Sequence, residues 1–271
     1  LAGLRFPNRI GLAAGLDSVA VGYTAYAEEA SSIAIGPYSY AGGVGSVAIG
    51  RGSFATLESS TAIGDESYAK GYRSTATGAY SQSIGSGATA AGGDSAASGT
   101  DATATGFASS SFGDDTTATG AHSQALLKGS TATGAYSEAI GEFNTATGYS
   151  SLAEGEEGNT ATGAYSEATS EYYGTATGWE SMVTGDFSAA TGAFSQAVAD
   201  FSTATGASSI ASGNSSTATG QSSDATGDFS TATGAGSGAT GLYSTATGTG
   251  SVASGINSVA NGGQAVATAD G

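Results

Sequence analysis

Glycine returns every fourteenth residue, at Gly22, Gly36, Gly50, Gly64, Gly78, Gly92, Gly106, Gly120, Gly134 and Gly148. Two 15-residue steps lead to Gly163 and Gly178, and the shorter step then resumes through Gly192, Gly206, Gly220, Gly234, Gly248 and Gly262. A fixed period of this kind limits the chain to architectures in which each repeat is one small unit that covers its inner side by stacking on its neighbours. A second, looser series lies seven residues later, at Gly71, Gly85, Gly99, Gly113, Gly141, Gly155, Gly185, Gly213, Gly227, Gly241 and Gly255. Leu57, Leu127, Ser170 and Ala199 hold equivalent places in that series.

Each unit is therefore two halves of the form x-x-S-x-A-x-G. Alternating Ser and Ala is the period-2 pattern of a strand, and Gly closes each half where the chain turns sharply and calls for a positive φ. Two short strands and two corners describe one coil. A helix is excluded because Gly at every seventh place would cost about 1 kcal/mol each time, and disordered polar sequence does not hold such a register. The expected fold is all-β, a parallel β-solenoid of about 18 coils with 14 residues per coil and two coils of 15. It spans residues 12–268, with a flank at 1–11 and a tail at 269–271. Small columns such as Ser137, Ala139, Asn144 and Ala146 suit a flat, narrow interior. So thin a core buries little apolar area per coil, which leads us to expect partner chains over one outer face.

Charge narrows the partners. Six Lys plus Arg against 23 acids give a net charge of −17, which leaves no counterion-release term for nucleic acid and disfavours anionic membrane surfaces. No run of about 18 apolar residues is present to span a bilayer, and the N-terminus lacks the regions of a signal peptide. A secreted protein with this sequence would be a piece of something longer. Cysteine is absent, in keeping with an extracellular setting.

The early coils read Ser18-Val-Ala-Val-Gly22, Ser32-Ile-Ala-Ile-Gly36, Ser46-Val-Ala-Ile-Gly50 and Ser60-Thr-Ala-Ile-Gly64. They resemble the SVAIG heptads of the YadA-like head, the haemagglutinin repeat of trimeric autotransporter adhesins. The resemblance implies a left-handed β-roll and a homotrimer, a place on the bacterial outer surface, and attachment to a host or extracellular-matrix ligand. It also implies that the two outward residues of each heptad face the trimer axis, so that Val19, Val21, Ile33, Ile35, Val47 and Ile49 form an apolar seam. From Thr75 to Thr247 the same two places are nearly all threonine. The first place holds Thr75, Thr103, Thr117, Thr131, Thr145, Thr160, Thr175, Thr203, Thr217, Thr231 and Thr245. The second holds Thr77, Thr105, Thr119, Thr133, Thr147, Thr162, Thr177, Thr205, Thr219, Thr233 and Thr247. Only Ala91, which shares its strand with Thr89, and Ala189, which shares its strand with Thr191, interrupt the two columns. Methyl packing and hydroxyl bonding allow such a seam to close.

The threonine ladder has a rival reading, since flat Thr-x-Thr arrays resemble the ice-binding faces of insect antifreeze proteins. Against it, a neighbouring column carries bulky Phe143, Tyr173, Phe187, Phe201, Phe229 and Tyr243. A third reading is a structural fibre segment such as a phage tail fibre. Tyr80, Tyr136, Tyr165 and Phe194 cluster after the first corner, either stacked along the solenoid or forming a ligand stripe. Residues Leu4 to Asp17 look like the opening segment of a membrane-associated dihydroorotate dehydrogenase barrel, but fourteen residues cannot build that barrel. We assign them no activity.

No enzymatic constellation is apparent. His122 is the only histidine and has no nucleophile elbow; Gly42-Gly43 lacks the Lys and helix of a phosphate loop. Trp179 and Met182 are expected to fill a bulge at a 15-residue coil. The acids, among them Glu138, Glu154, Glu156, Glu157, Glu167, Glu171, Asp186, Asp200 and Asp228, read as solvated charge that keeps the protein soluble. Asp114 with Asp115, and Glu154 to Glu157, are the candidate cation positions, although no spaced Ca²⁺ loop accompanies them. No cofactor or metal is expected. The outward positions of the second strand vary most, which assigns the threonine face to like chains and the variable face to the surroundings.

Overall fold

The structure, a computed structural model, describes residues 11–270. They fall into two compact units divided between Ala135 and Tyr136. In the first unit, nine three-residue strands run from Val19–Val21 to Thr131–Thr133, alternating with two-residue strands from Leu12–Ala13 to Gln124–Ala125. In the second, nine three-residue strands from Thr145–Thr147 to Val259–Asn261 alternate with two-residue strands from Glu138–Ala139 to Val266–Ala267. Within each unit the strands pair in parallel with their counterparts in the next coil, as in Val19↔Ile33, Thr103↔Thr117 and Thr217↔Thr231. The chain is thus an all-β parallel solenoid of about 18 turns, as the period predicts, with no helix among the described residues.

The core is as narrow as its residues. Away from the two ends, the central Ala of each three-residue strand (Ala34, Ala76, Ala132, Ala204) and the inner residue of each two-residue strand are fully buried, the latter Ala in most coils (Ala41, Ala139, Ala211) and Ser83, Ser111 or Val183 in three. The serine columns are buried beside them. A buried hydroxyl needs a partner, and the strict-series corner supplies it: Ser39 donates to the carbonyl of Gly36 at 2.9 Å, Ser81 to Gly78 at 2.9 Å and Ser223 to Gly220 at 2.9 Å, whereas at looser-series corners the hydroxyls of Ser130, Ser216, Ser230, Ser244 and Ser258 have no partner. Serine therefore suits both columns by its size, and the strict-corner column also by this three-residue return bond.

The two glycine series obey different constraints. In the strict series φ lies far into the left-handed half of the map, as at Gly22 (139°), Gly148 (137°) and Gly206 (127°). Side-chain-bearing residues avoid that region. In the looser series Gly155, within a 15-residue coil, has φ 127°, whereas Gly71, Gly85, Gly99, Gly213 and Gly227 have no positive φ; there the demand is close approach, since a Cβ on Gly213 would lie 2.1 Å from the carbonyl oxygen of Gly227. The expectation of positive φ at both corners is corrected accordingly. A corner that needs only room can rearrange, which explains why Leu57, Leu127, Ser170 and Ala199 occur in the looser series.

Asparagine accommodates the two longer coils. Asn144 and Asn159 replace serine in the buried column. The Asn159 N–H donates to Asn144 Oδ1 at 2.8 Å, and Asn159 Nδ2 donates to the carbonyls of Glu154 and Ser170, both at 2.6 Å. Asn159 Oδ1 accepts from the Gly174 N–H at 2.6 Å and from Ser170 Oγ at 2.7 Å. One side chain thus ties together the backbone that the extra residue displaces. Trp179 and Met182 do not fill this bulge: Trp179 is half exposed, and Met182 lies on the outward side of its strand.

Candidate binding faces

Strand alternation places the apolar residues of the early heptads outward. Val19 is 44% and Val21 54% exposed, and Ile33, Ile35, Val47 and Ile49 are half-buried to exposed. These six side chains and Ile63 make an uncovered apolar row in the first unit.

The threonines take the same positions on later strands. Each pair flanks a buried Ala and points away from the core. The first column, Thr75, Thr103, Thr117, Thr131, Thr145, Thr160, Thr175, Thr203, Thr217, Thr231 and Thr245, is half-buried throughout. The second column is uneven, unlike the uniform ladder that the sequence suggests. Thr77, Thr147, Thr162 and Thr177 are half-buried, whereas Thr105, Thr119, Thr133, Thr205, Thr219, Thr233 and Thr247 are exposed. Every member of this column, half-buried or exposed, immediately precedes a strict-series glycine corner.

The corners carry the aromatic columns, in a conformation sequence does not reveal. Tyr80, Tyr136, Phe143, Tyr165, Tyr173, Phe187, Phe194, Phe201, Phe229 and Tyr243 all have φ between 51° and 60°. Bulky residues seldom occupy this left-handed region, and ring contacts offset part of its cost. Tyr173, Phe187 and Phe201 stack at 5.6 and 5.5 Å, and Phe229 stacks on Tyr243 at 5.0 Å. After the other corner the contacts are edgewise or tilted: Tyr136–Tyr149 at 5.8 Å, Tyr149–Tyr165 at 5.4 Å and Trp179–Phe194 at 5.0 Å. The columns stack and still present about half of each ring to solvent.

A further ladder on the variable face escaped the sequence reading. Tyr26, Tyr40, Phe54 and Tyr68 stand one above another at 5.8, 6.0 and 5.3 Å, and the Lys70 ammonium lies 5.2 Å from the centre of the Tyr68 ring. Their own 14-residue spacing is the signal that finds them. The Tyr40 hydroxyl donates to Glu28 Oε2. That hydrogen bond, helped by burial and the Glu28 charge, pushes its pKa up to about 12.

Several acids do more than solvate the surface. Asp114 accepts the Thr100 N–H at 2.7 Å, Asp186 that of Tyr172 at 3.0 Å, Asp200 that of Asp186 at 3.0 Å and Asp228 that of Asn214 at 2.9 Å. Each carboxylate caps the corner amide of the coil before it, which corrects their reading as free charge. No group of three or more His, Cys, Asp or Glu gathers as a metal would require among the described residues. Asp224, outward between Ile210 and Gly238, has its carboxyl pKa raised by burial. His122 stacks edgewise on Phe107 at 5.5 Å.

These features were compared with known proteins. A search of curated proteins finds no match. Among solved structures, the crystal structure of the collagen-binding domain of the Yersinia adhesin YadA is 29% identical. It covers 62% of this chain and 86% of its own, with a TM-score of 0.39. The family model of the YadA head domain repeat matches residues 13–39, 41–67, 58–81, 113–137, 132–155, 211–237, 225–251, 239–265 and 253–271. Together these matches take in more than half of the sequence, and they place it among adhesin-type domains. With its coil, its buried Ser and Ala columns and its strict glycine corners, the chain belongs to the YadA head-domain repeat family.

Proposed function

We propose that the chain is the head of a trimeric surface adhesin and works by attachment, without catalysis. The observation that carries this reading is the uncovered apolar row of Val19, Val21, Ile33, Ile35, Val47, Ile49 and Ile63, which in these coils flanks an interior of Ala and Ser. A core this thin gains from a partner over that row, and a like chain offers the same row at the same spacing. The threonine columns extend the seam, while the variable face and the aromatic corners remain for a host or extracellular-matrix surface. Repetition suits such a task, because many weak contacts along one repeat array add through avidity. The cell surface is the place this role requires. Collagen, bound by the Yersinia domain according to its description, is the first ligand to try.

Mass measurement in solution and retention on immobilised matrix proteins test the proposal together. A trimer that Val47→Lys splits into monomers, and that is held on a matrix surface, is the expected result. A monomer showing thermal hysteresis would instead favour ice binding by the in-register threonines. A monomer that neither binds matrix nor alters ice growth would leave a structural fibre.

A further inference from the structure

All six Lys and Arg lie at or before Lys128, so residues 136–271 hold 13 acidic side chains and no basic one. In this unit three successive coils open a groove of about 370 Å³ lined by Tyr165, Glu167, Glu180, Met182, Phe194 and Gln196. Its two sides follow from the repeat. Tyr165, Glu180 and Phe194 are left-handed corner residues in consecutive coils, at φ 58°, 51° and 60°. Glu167, Met182 and Gln196 stand in register on adjacent strands. Tyr165 is braced by Tyr149 and Phe194 by Trp179, with Glu180 at the corner between the two rings. The ion pairs of the described residues all involve Arg51, in the other unit, so neither Glu167 nor Glu180 has a cation of its own.

We propose that this groove is a receptor for an arginine side chain carried on an extended basic segment of a partner polypeptide. Three chemical fits argue for it. Tyr and Phe faces attract a cation through the ring quadrupole. The two carboxylates supply charge-assisted acceptors, and a guanidinium is flat and weakly hydrated, so it gives up less on entering an aromatic slot than an ammonium does. The volume is near the lower end for ligand sites, which suits one side chain better than a large organic molecule. The segment is basic because Glu138 and Glu154 precede the groove on the same side of the coil and Asp224 follows it. The groove also lies within residues 156–210, which the family matches leave uncovered, so it belongs to this chain and not to the repeat in general. The inference goes beyond the attachment reading and stands without it, because it concerns recognition in solution.

Trp179 is the only tryptophan, and its ring lies against the Phe194 wall, so its fluorescence reports on the groove. The full chain is titrated with a Gly-Ser peptide carrying two arginines, with the same peptide carrying citrulline, and with free arginine. We expect a saturable change with the arginine peptide, little change with citrulline, and weaker binding of free arginine. Glu167→Gln with Glu180→Gln should weaken the peptide about tenfold or more, as loss of charge-assisted bonds requires. Glu138→Gln with Glu154→Gln, an equal charge change outside the groove, should weaken it less than about threefold, as a screened general attraction would. Equal weakening by the two pairs, or equal binding of the citrulline peptide, overturns the proposal. Free arginine binding as tightly as the peptide overturns its polypeptide part. Unchanged thermal melting of both pairs keeps misfolding out of the comparison.

Discussion

At the scale of single residues the fold rests on backbone conformations that only some side chains permit. Gly206 has φ 127°, and a Cβ there would also lie 2.6 Å from the carbonyl oxygen of Gly220. Gly206→Ala therefore meets both left-handed strain and a collision, and should cost more than about 2 kcal/mol. Gly213→Ala meets only the collision, at a corner where the preceding coil already holds Ala199. It should cost half as much or less. Thermal unfolding of the two variants side by side measures the difference, and equal losses would mean that contact, not φ, governs both corners. The aromatic corners show the opposite bargain. Tyr173, Phe187 and Phe201 occupy left-handed positions that glycine would fill with less strain, and each ring contact offsets part of that cost while leaving a ring edge or face in solvent.

At the scale of one coil, the buried column decides what insertion is tolerated. At a strict-series corner serine returns one hydrogen bond to its own corner, and a 14-residue coil asks no more of it. A fifteenth residue displaces several backbone groups at once, and an unpaired buried group costs about 1–3 kcal/mol. Asn159 satisfies the carbonyls of Glu154 and Ser170 and the N–H of Gly174 with one amide. Asn159→Ala should therefore destabilise the second unit by about 3 kcal/mol or more, whereas Ser223→Ala, which removes one corner bond, should cost about 1 kcal/mol. Denaturant unfolding of both variants checks the ratio. Because coils contact only their neighbours, hydrogen exchange in Asn159→Ala should rise first in the coils around residues 145–175.

At the scale of the whole molecule, charge and the thin core set the terms on which the chain meets others. The 13 acids and absent bases of residues 136–271 repel one another, and salt screens such repulsion within about 10 Å at 0.1 M. Raising NaCl from low to moderate concentration should thus raise the melting temperature by a few degrees, read by circular dichroism, and a fall would show that specific ion pairs outweigh the repulsion. The sequence alone determined the coil, its parallel pairing and its alternation of inward Ser and Ala with outward Thr, because a strict period leaves few ways to turn and stack. It also showed the acidic excess and the family likeness of the early heptads. Tertiary structure decided the rest: that only one glycine series is held throughout by φ, that Asp carboxylates cap the preceding coil, that Asn144 and Asn159 carry the longer turns, and that Tyr165, Glu180 and Phe194 line one groove. These depend on which atoms lie one coil apart in space, about 14 residues away in sequence, and no local pattern specifies the orientation of side chains across that gap.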